Sequence, residues 1–399
     1  MVTLAHNLIG GYIMLYIKNA HIKPIVGEEL ANGCILTDDA GKIAAIGTEL
    51  DVPAGAQIID AEGRLVTPGL VEAHCHIGLH DATLRWEGAD YNEKTTDPVT
   101  PQVRAIDSIY PQDEYFGVAM RCGVTTACTG PGSSNVVGGQ FAAIKLAGRC
   151  VDEMIVKAPA AMKCALGENP KNAFGQAKKA PTTRMGAASI LRELLFKAKA
   201  YCEEKDAGKD PKFDMKMESM LPVMRKEIPL KCHVHRCDDI LTAIRIAKEF
   251  DLKLTIDHAT DGTRIADLIA ESGYPVIVGP ALTSKNKPEL ANKSFATAGN
   301  LHKAGVELVS ITTDAPVSTL DYLPFCAGMC ASEGLPMEEA WKAITINPAK
   351  IIGIENRVGS LEVGKDADIA IWTADPLTTI GAKAYMTIID GKIVCDKLA

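Results

Sequence analysis

The sequence predicts an α/β protein, an eight-stranded (β/α)8 barrel that carries a small β-sandwich domain assembled from both ends of the chain. Three observations predict it. Between residues 65 and 357, short apolar runs of strand character alternate with stretches of helical periodicity, the pattern of a parallel α/β sheet or barrel. Eight strand candidates fit there, ending near His74, Thr126, Lys145, Lys163, His233, His258, Gly279 and Asp314, and eight strands close a barrel. Residues 14–64 and 358–399 read instead as short strands separated by tight turns, so the two termini are expected to form one composite β domain.

The first strand is Leu15-Tyr-Ile-Lys-Asn-Ala-His-Ile-Lys23, and residues 1–13 before it read as an N-terminal extension. Strands at Ile35-Leu-Thr37, within Asp39–Gly47 and at Gln57-Ile-Ile-Asp60 complete the leading part, and Gly359–Trp372 and Met386–Val394 return to the same character at the far end. Among the barrel helices, Thr182 or Thr183 can cap one whose Ile190, Leu191, Leu194, Leu195 and Ala198 share a face, and Asp239–Phe250 repeats that spacing. Glu203–Lys212 is polar throughout and reads as a solvated loop. Cys326 and Cys330 fit one face of a buried helix better than a redox pair.

A formal charge of −8 and 23% charged residues give no electrostatic reason to expect nucleic acid or an anionic membrane as partner. No uninterrupted apolar run reaches the roughly 18 residues that a membrane span needs. The first 17 residues lack the basic start of a secretory signal, and the twelve cysteines follow no framework of paired spacings, which implies a reducing compartment. A cytoplasmic homo-oligomer acting on a small molecule is expected.

The chemistry starts at His74 and His76. They stand two apart at the end of an apolar strand, and side chains at i and i+2 leave a strand on one face, where two imidazoles can converge on a divalent cation such as zinc. His233 and His235, His258, and Asp314 each close another short apolar run. Five of the nine histidines belong to this set, and the C-terminal strand ends of a barrel would bring them together.

These residues, with Val66-Thr-Pro-Gly-Leu70, Thr313-Asp-Ala-Pro316, Asn347-Pro-Ala-Lys350 and Gly364-Lys-Asp-Ala-Asp-Ile369, resemble the metal-dependent amidohydrolase superfamily almost end to end. The nearest flavour is the imidazolonepropionase-like group, with prolidase and arginine carboxypeptidase relatives close by. The resemblance implies a TIM-type barrel with a composite β domain. It makes His74, His76, His233, His258 and Asp314 ligands of one or two zinc ions, and gives Asp314 a second role as general acid/base for a metal-activated water. Two-metal relatives carry a carboxylated lysine on the fourth strand. Lys163 is the candidate, because an inward lysine in so apolar a run is otherwise a costly unpaired charge; Lys157 and Lys145 compete, and a lysine snorkelling to the barrel mouth is the alternative.

His235 shares a face with His233, and either could be the ligand of that strand; the resemblance favours His233, leaving His235 as a catalytic residue that touches substrate. Glu72 stands where many relatives have Asp. Deaminase relatives carry a glutamate three residues after the fifth-strand histidine, and that place is Arg236 here, or Asp238 counted from His235. Two loops are candidates for substrate binding: Trp86–Glu93 with Arg104, offering Glu87, Asn92, Glu93 and Arg104, and the glycine-rich Gly130–Gln140, with Asn135 and Gln140, whose N–H groups could meet a carboxylate. The expected function is hydrolysis of an amide-type C–N bond in a small cyclic amide, an N-acyl amino acid or a dipeptide-like compound. A deaminase of amidines or aromatic amines and a catalytically inactive scaffold are the alternatives.

Overall fold

The computed structural model describes residues 13–80, 87–93 and 97–396. All but the last residue of the expected N-terminal extension, and Trp86 of the first candidate loop, lie outside the described residues. Strands β1 (Leu15–Ile22), β2 (Leu30–Thr37), β3 (Ile43–Gly47), β4 (Gln57–Asp60) and β5 (Leu65–Pro68) come first. The barrel strands follow: β6 (Leu70–Cys75), β7 (Val124–Thr129), β8 (Val137–Lys145), β9 (Ile155–Ala165), β10 (Leu230–Val234), β11 (Leu254–His258), β12 (Val276–Val278) and β13 (Val309–Ile311). β14 (Ile369–Trp372), β15 (Ala384–Ile389) and β16 (Lys392–Asp396) close the chain.

The terminal strands form one sheet in the order β16-β15-β14-β5-β1-β2-β3, with β4 beside β1. β5 pairs with β1 and antiparallel to β14, which stitches the two chain ends together. The barrel strands therefore begin at Leu70, and Leu65–Pro68, read from the sequence as part of the barrel, belongs to the terminal sheet. Alternating positions such as Leu15, Ile17, Ile35, Val66, Ile369 and Ile371 bury a core of this sheet's own.

The second sheet runs β6 to β13 in chain order. One strand departs from the expected parallel arrangement: β8 is antiparallel to both β7 and β9. The connections, residues 130–136 and 146–154, are shorter than the dozen or so residues that a parallel crossover needs, so the chain can only turn back on itself. Lys145 is consequently at the base of the barrel, opposite the mouth. There its ammonium meets Asp366 (3.0 Å), Asp368 (2.7 Å) and Asp390 (3.1 Å), locking barrel to terminal sheet.

Side chains close the seam between β13 and β6. Thr313 donates its N–H (3.0 Å) and its hydroxyl (3.2 Å) to Glu72 Oε2, Thr312 Oγ1 donates to the His74 carbonyl (2.6 Å), and His76 N–H donates to Ala315 O (2.7 Å). Outside the barrel the helix Arg184–Asp206, capped by Thr183 Oγ1 on Gly186 N–H (3.0 Å), buries Leu191, Leu194, Leu195 and Ala198 as its spacing predicts. It runs four residues into the expected loop at Glu203. Cys326 and Cys330 are buried in the helix Leu323–Ser332. Among the described residues no helix is long and apolar enough to cross a membrane.

Candidate metal centre

His74 and His76 leave β6 at the barrel mouth and meet Asp314, which follows β13. Asp314 Oδ1 is 3.3 Å from His74 Nε2 and 3.4 Å from His76 Nε2. The far nitrogens are held: His76 Nδ1 is 2.6 Å from Gly130 O, and His74 Nδ1 is 2.8 Å from Asp257 Oδ2. Such outer contacts fix ring orientation and tautomer, leaving the two Nε2 atoms to face a cation. Burial raises the carboxyl of Asp314, but His258, His74 and His76 outweigh it and hold the group well below the usual carboxylate range.

A second group lies beside the first. His233, His235 and His258 place ring nitrogens within 4.8 Å of one another, as do the donor atoms of His74, His76 and Asp314. The His258 ring centroid is 4.9 Å from that of His74 and 4.3 Å from that of His233. His258 arrives by an unusual route. Strand alternation places it on the face opposite Asp257, whose carboxylate points inward at His74. At His258 the backbone is left-handed (φ 75°), the strand ends, and the ring turns into the mouth. Gly279 O accepts from His258 Nδ1 at 2.7 Å, and Gly279 must be glycine: its own φ is 128°, and a Cβ would lie 2.3 Å from Thr312 O. Asp314 is also left-handed (φ 53°). Two candidate ligands thus sit in conformations that cost roughly 1 kcal/mol or more each outside glycine, a strain found where function demands it.

The donor set fits a divalent metal. His258 Nε2 is buried without a hydrogen-bond partner, a polar atom that is costly to leave alone. Burial pushes the His258 ring down to about 3 and holds His233 and His235 well below the ordinary imidazole range, so all three rings are neutral, as ligands must be. The residues that would hold one ion are His74, His76 and Asp314, and for a second, His233 or His235 with His258.

Of the three candidate lysines only Lys163 is at this site. Its Nζ is 3.2 Å from His74 Nε2, and burial lowers it to about 8. Lys157 donates to Ile352 O (3.0 Å), lower in the barrel, and Lys145 is in the basal ion cluster. Phe141 of β8 lies under both groups, its ring 5.5 Å from that of His74 and 5.4 Å from Lys163 Nζ.

The proposed substrate residues divide. Asn92 accepts Ser134 N–H (3.1 Å), fastening the first loop to the glycine-rich loop, while Glu87 and Glu93 are exposed. Arg104 is bound bidentately by Asp107 (2.9 and 2.8 Å) at the surface. Asn135 donates to Thr100 Oγ1 (2.8 Å), and Gln140, on the face opposite Phe141, donates to Pro101 O (3.3 Å). Both secure the segment 97–104. Three amides of the glycine-rich loop are taken by residues outside it, Gly130 N–H by Cys75 O (3.3 Å), Gly132 N–H by Tyr91 O (2.5 Å) and Ser134 N–H by Asn92.

Several residues of the site escape a reading of the sequence. Asp257 is buried between His74 and Lys231, whose Nζ is 3.3 Å from each carboxylate oxygen. Charged residues inside an apolar strand, as Lys231 and Asp257 are, were the available signal. Glu289, 3.7 Å from His235 Nε2 in the single turn Pro288–Leu290, and Asn169, 3.2 Å from His233 Nε2 in the first turn of the helix Glu168–Gln176, carry no local signature.

Residues 65–394 match the profile of the Amidohydrolase family. The amidohydrolase tasK of Hapsidospora irregularis is 28% identical over 92% of this chain, which spans 39% of that protein's length. Imidazolonepropionase of Idiomarina loihiensis is 26% identical over 87% of each chain. Among solved structures, an amidohydrolase from Thermotoga maritima superposes with a TM-score of 0.91 at 41% identity, covering 96% of this chain and 100% of that one. A prolidase complexed with n-methylphosphonate-L-proline shares the fold at 16% identity (TM-score 0.62; 96% of this chain, 100% of that one). With that match running over most of its length and the donor set assembled at the barrel mouth, the chain belongs to the amidohydrolase family and is a metal-dependent hydrolase of carbon–nitrogen bonds other than ordinary peptide bonds.

Proposed function

We propose that the protein hydrolyses a small cyclic amide, an N-acyl amino acid or a dipeptide-like compound at a two-zinc centre in which Lys163 is carboxylated. The observation that carries this reading is the pairing of two three-donor groups around one fully buried lysine. Lys163 has no carboxylate within ion-pair distance among the described residues, and its charge is felt by His74, His233 and His258 alike. Its lowered basicity favours the neutral amine, which adds to CO2 to give a carbamate and a proton; the product is an anion where three histidines face it.

When bound, the metal activates a water and polarises the scissile carbonyl. Asp314 accepts the proton of that water as its oxygen bonds to the carbonyl carbon, and returns it to the nitrogen as the C–N bond breaks. Asp257 and Gly130 O keep His74 and His76 oriented during both steps. His235, with Nδ1 2.8 Å from Thr260 Oγ1 and Nε2 toward Glu289, is placed to touch the substrate.

One observation supports the deaminase alternative: Glu289 reaches the strand-end histidines from a distant loop. It is, however, already engaged by Lys287 at 2.7 Å. A hydrolysis screen of cyclic amides, N-acyl amino acids and dipeptides with zinc-loaded protein, alongside metal analysis, tests the proposal. Two zinc ions per chain and turnover in that panel are expected. Ammonia released only from amidines or aromatic amines would favour the deaminase, and a fully loaded but inert protein would favour the scaffold.

A further inference from the structure

At the barrel mouth, Lys287 is held above the second histidine group by two partners, the buried Glu289 and the half-buried Asn169. It precedes the single turn Pro288–Leu290 in the loop after β12. Its Nζ donates to Asn169 Oδ1 at 2.8 Å and lies 2.7 Å from Glu289 Oε1. Each partner is tied to the site: Asn169 Nδ2 is 3.2 Å from His233 Nε2 and donates to Ser133 Oγ (2.7 Å), while Glu289 Oε1 stands 3.7 Å from His235 Nε2 and 3.9 Å from His233 Nε2. Glu289 Oε2 accepts Glu168 N–H at 3.1 Å, so the carboxylate cannot swing away.

An ammonium carries three donors: one is given to Asn169, and Glu289 is met as an ion pair. The Lys287 side chain is 23% exposed, against 1% for Glu289, so the lysine, unlike its carboxylate partner, is reachable from solvent. Of the other cations, Lys163 and Lys231 are buried within the barrel, Arg236 is bound by Asp238 and Arg104 by Asp107. We propose that Lys287 anchors a carboxylate of the substrate, so that the protein acts on C–N compounds bearing an acid group near the scissile bond. This inference rests on the hydrolase reading above. A free surface lysine would lose rotamer entropy on gripping an anion; here Asn169 and Glu289 have already immobilised the chain, so an incoming carboxylate meets a preset donor.

The test compares N-acetyl-L-amino acids with their primary carboxamides, which differ only in the anion, on zinc-loaded wild type, Lys287→Met and Lys287→Arg. Wild type is expected to favour the acids by about 10- to 100-fold in kcat/KM, the range of a charge-assisted hydrogen bond. Lys287→Met should bring that ratio close to one, mainly by raising KM for the acids, and Lys287→Arg should keep part of it. Equal use of acids and carboxamides by wild type, or an acid preference that survives in Lys287→Met, overturns the assignment. If neither series turns over, the proposed reaction fails by itself, and calorimetric binding decides the anchor: acid binding that Lys287→Met abolishes and Lys287→Arg retains supports it, while equal binding of acid and carboxamide refutes it.

Discussion

Asp257→Asn isolates the device that orients His74. The carboxylate is fully buried, 2.8 Å from His74 Nδ1, 3.3 Å from Lys231 Nζ, and accepts from Thr255 Oγ1 at 2.9 Å. Asparagine keeps the shape and removes the charge. Charges 3.3 Å apart attract by about 5 kcal/mol at an effective dielectric near 20. Because removing one partner strands the other in the interior, the metal-free chain should lose about 3–5 kcal/mol of stability. A second effect acts on the metal. The Asn amide can donate to His74 Nδ1, which moves the ring proton to Nε2, the atom that faces Asp314. Loss of such an orienting contact weakens metal affinity by about 10- to 100-fold. Urea unfolding of metal-free protein reads the first effect, and zinc competition against a chelator the second. The double variant Lys231→Met, Asp257→Asn removes both charges and should recover most of the stability but not the affinity. Wild-type zinc affinity in Asp257→Asn, or a stability loss under about 1 kcal/mol, would refute the reasoning.

Asp314→Asn should keep the fold and most of the metal while lowering turnover by about 10²-fold or more, read by steady-state kinetics on metal-matched protein. Lys163→Ala should lose one metal and most activity, since cations roughly 3.5–4 Å apart then lack a bridging anion; short carboxylic acids should restore part of both, and normal two-metal content in this variant would make Lys163 structural. Lys145→Met removes the cation of Asp368 and Asp390, leaving Asp366 to Lys42 and Arg357, and should cost about 3–5 kcal/mol in urea unfolding. That cluster also sets an acid limb. Burial raises Asp366, yet Lys145, Lys42 and Arg357 outweigh it and hold the carboxyl at about 2, below its ordinary 3.8. The folded value is the lower one, so this stabilisation is present above pH 3.8 and fades as pH falls toward about 2. Stability curves across that window should be shallower in Lys145→Met.

What local sequence can specify here, it specified: His74 and His76 share a face because a strand repeats every two residues, and His233, His258 and Asp314 announce themselves as polar residues closing apolar runs. The helix Arg184–Asp206 follows from its cap and its 3.6-residue periodicity in the same way. Strand direction does not follow, because a strand buried on both faces reads alike in either sense; the reversal of β8, which sends Lys145 to the barrel's base, was encoded only in the shortness of its connections. The ring of His258 defies strand alternation and enters the site through a left-handed backbone that surrounding packing enforces. Asp257 against His74, and Lys287, Glu289 and Asn169 over His233 and His235, join residues from different strands and loops. Spacing along the chain carries no information about such contacts, because barrel closure alone brings those segments together; the ligands belong to the sequence, and their orientation to the tertiary structure.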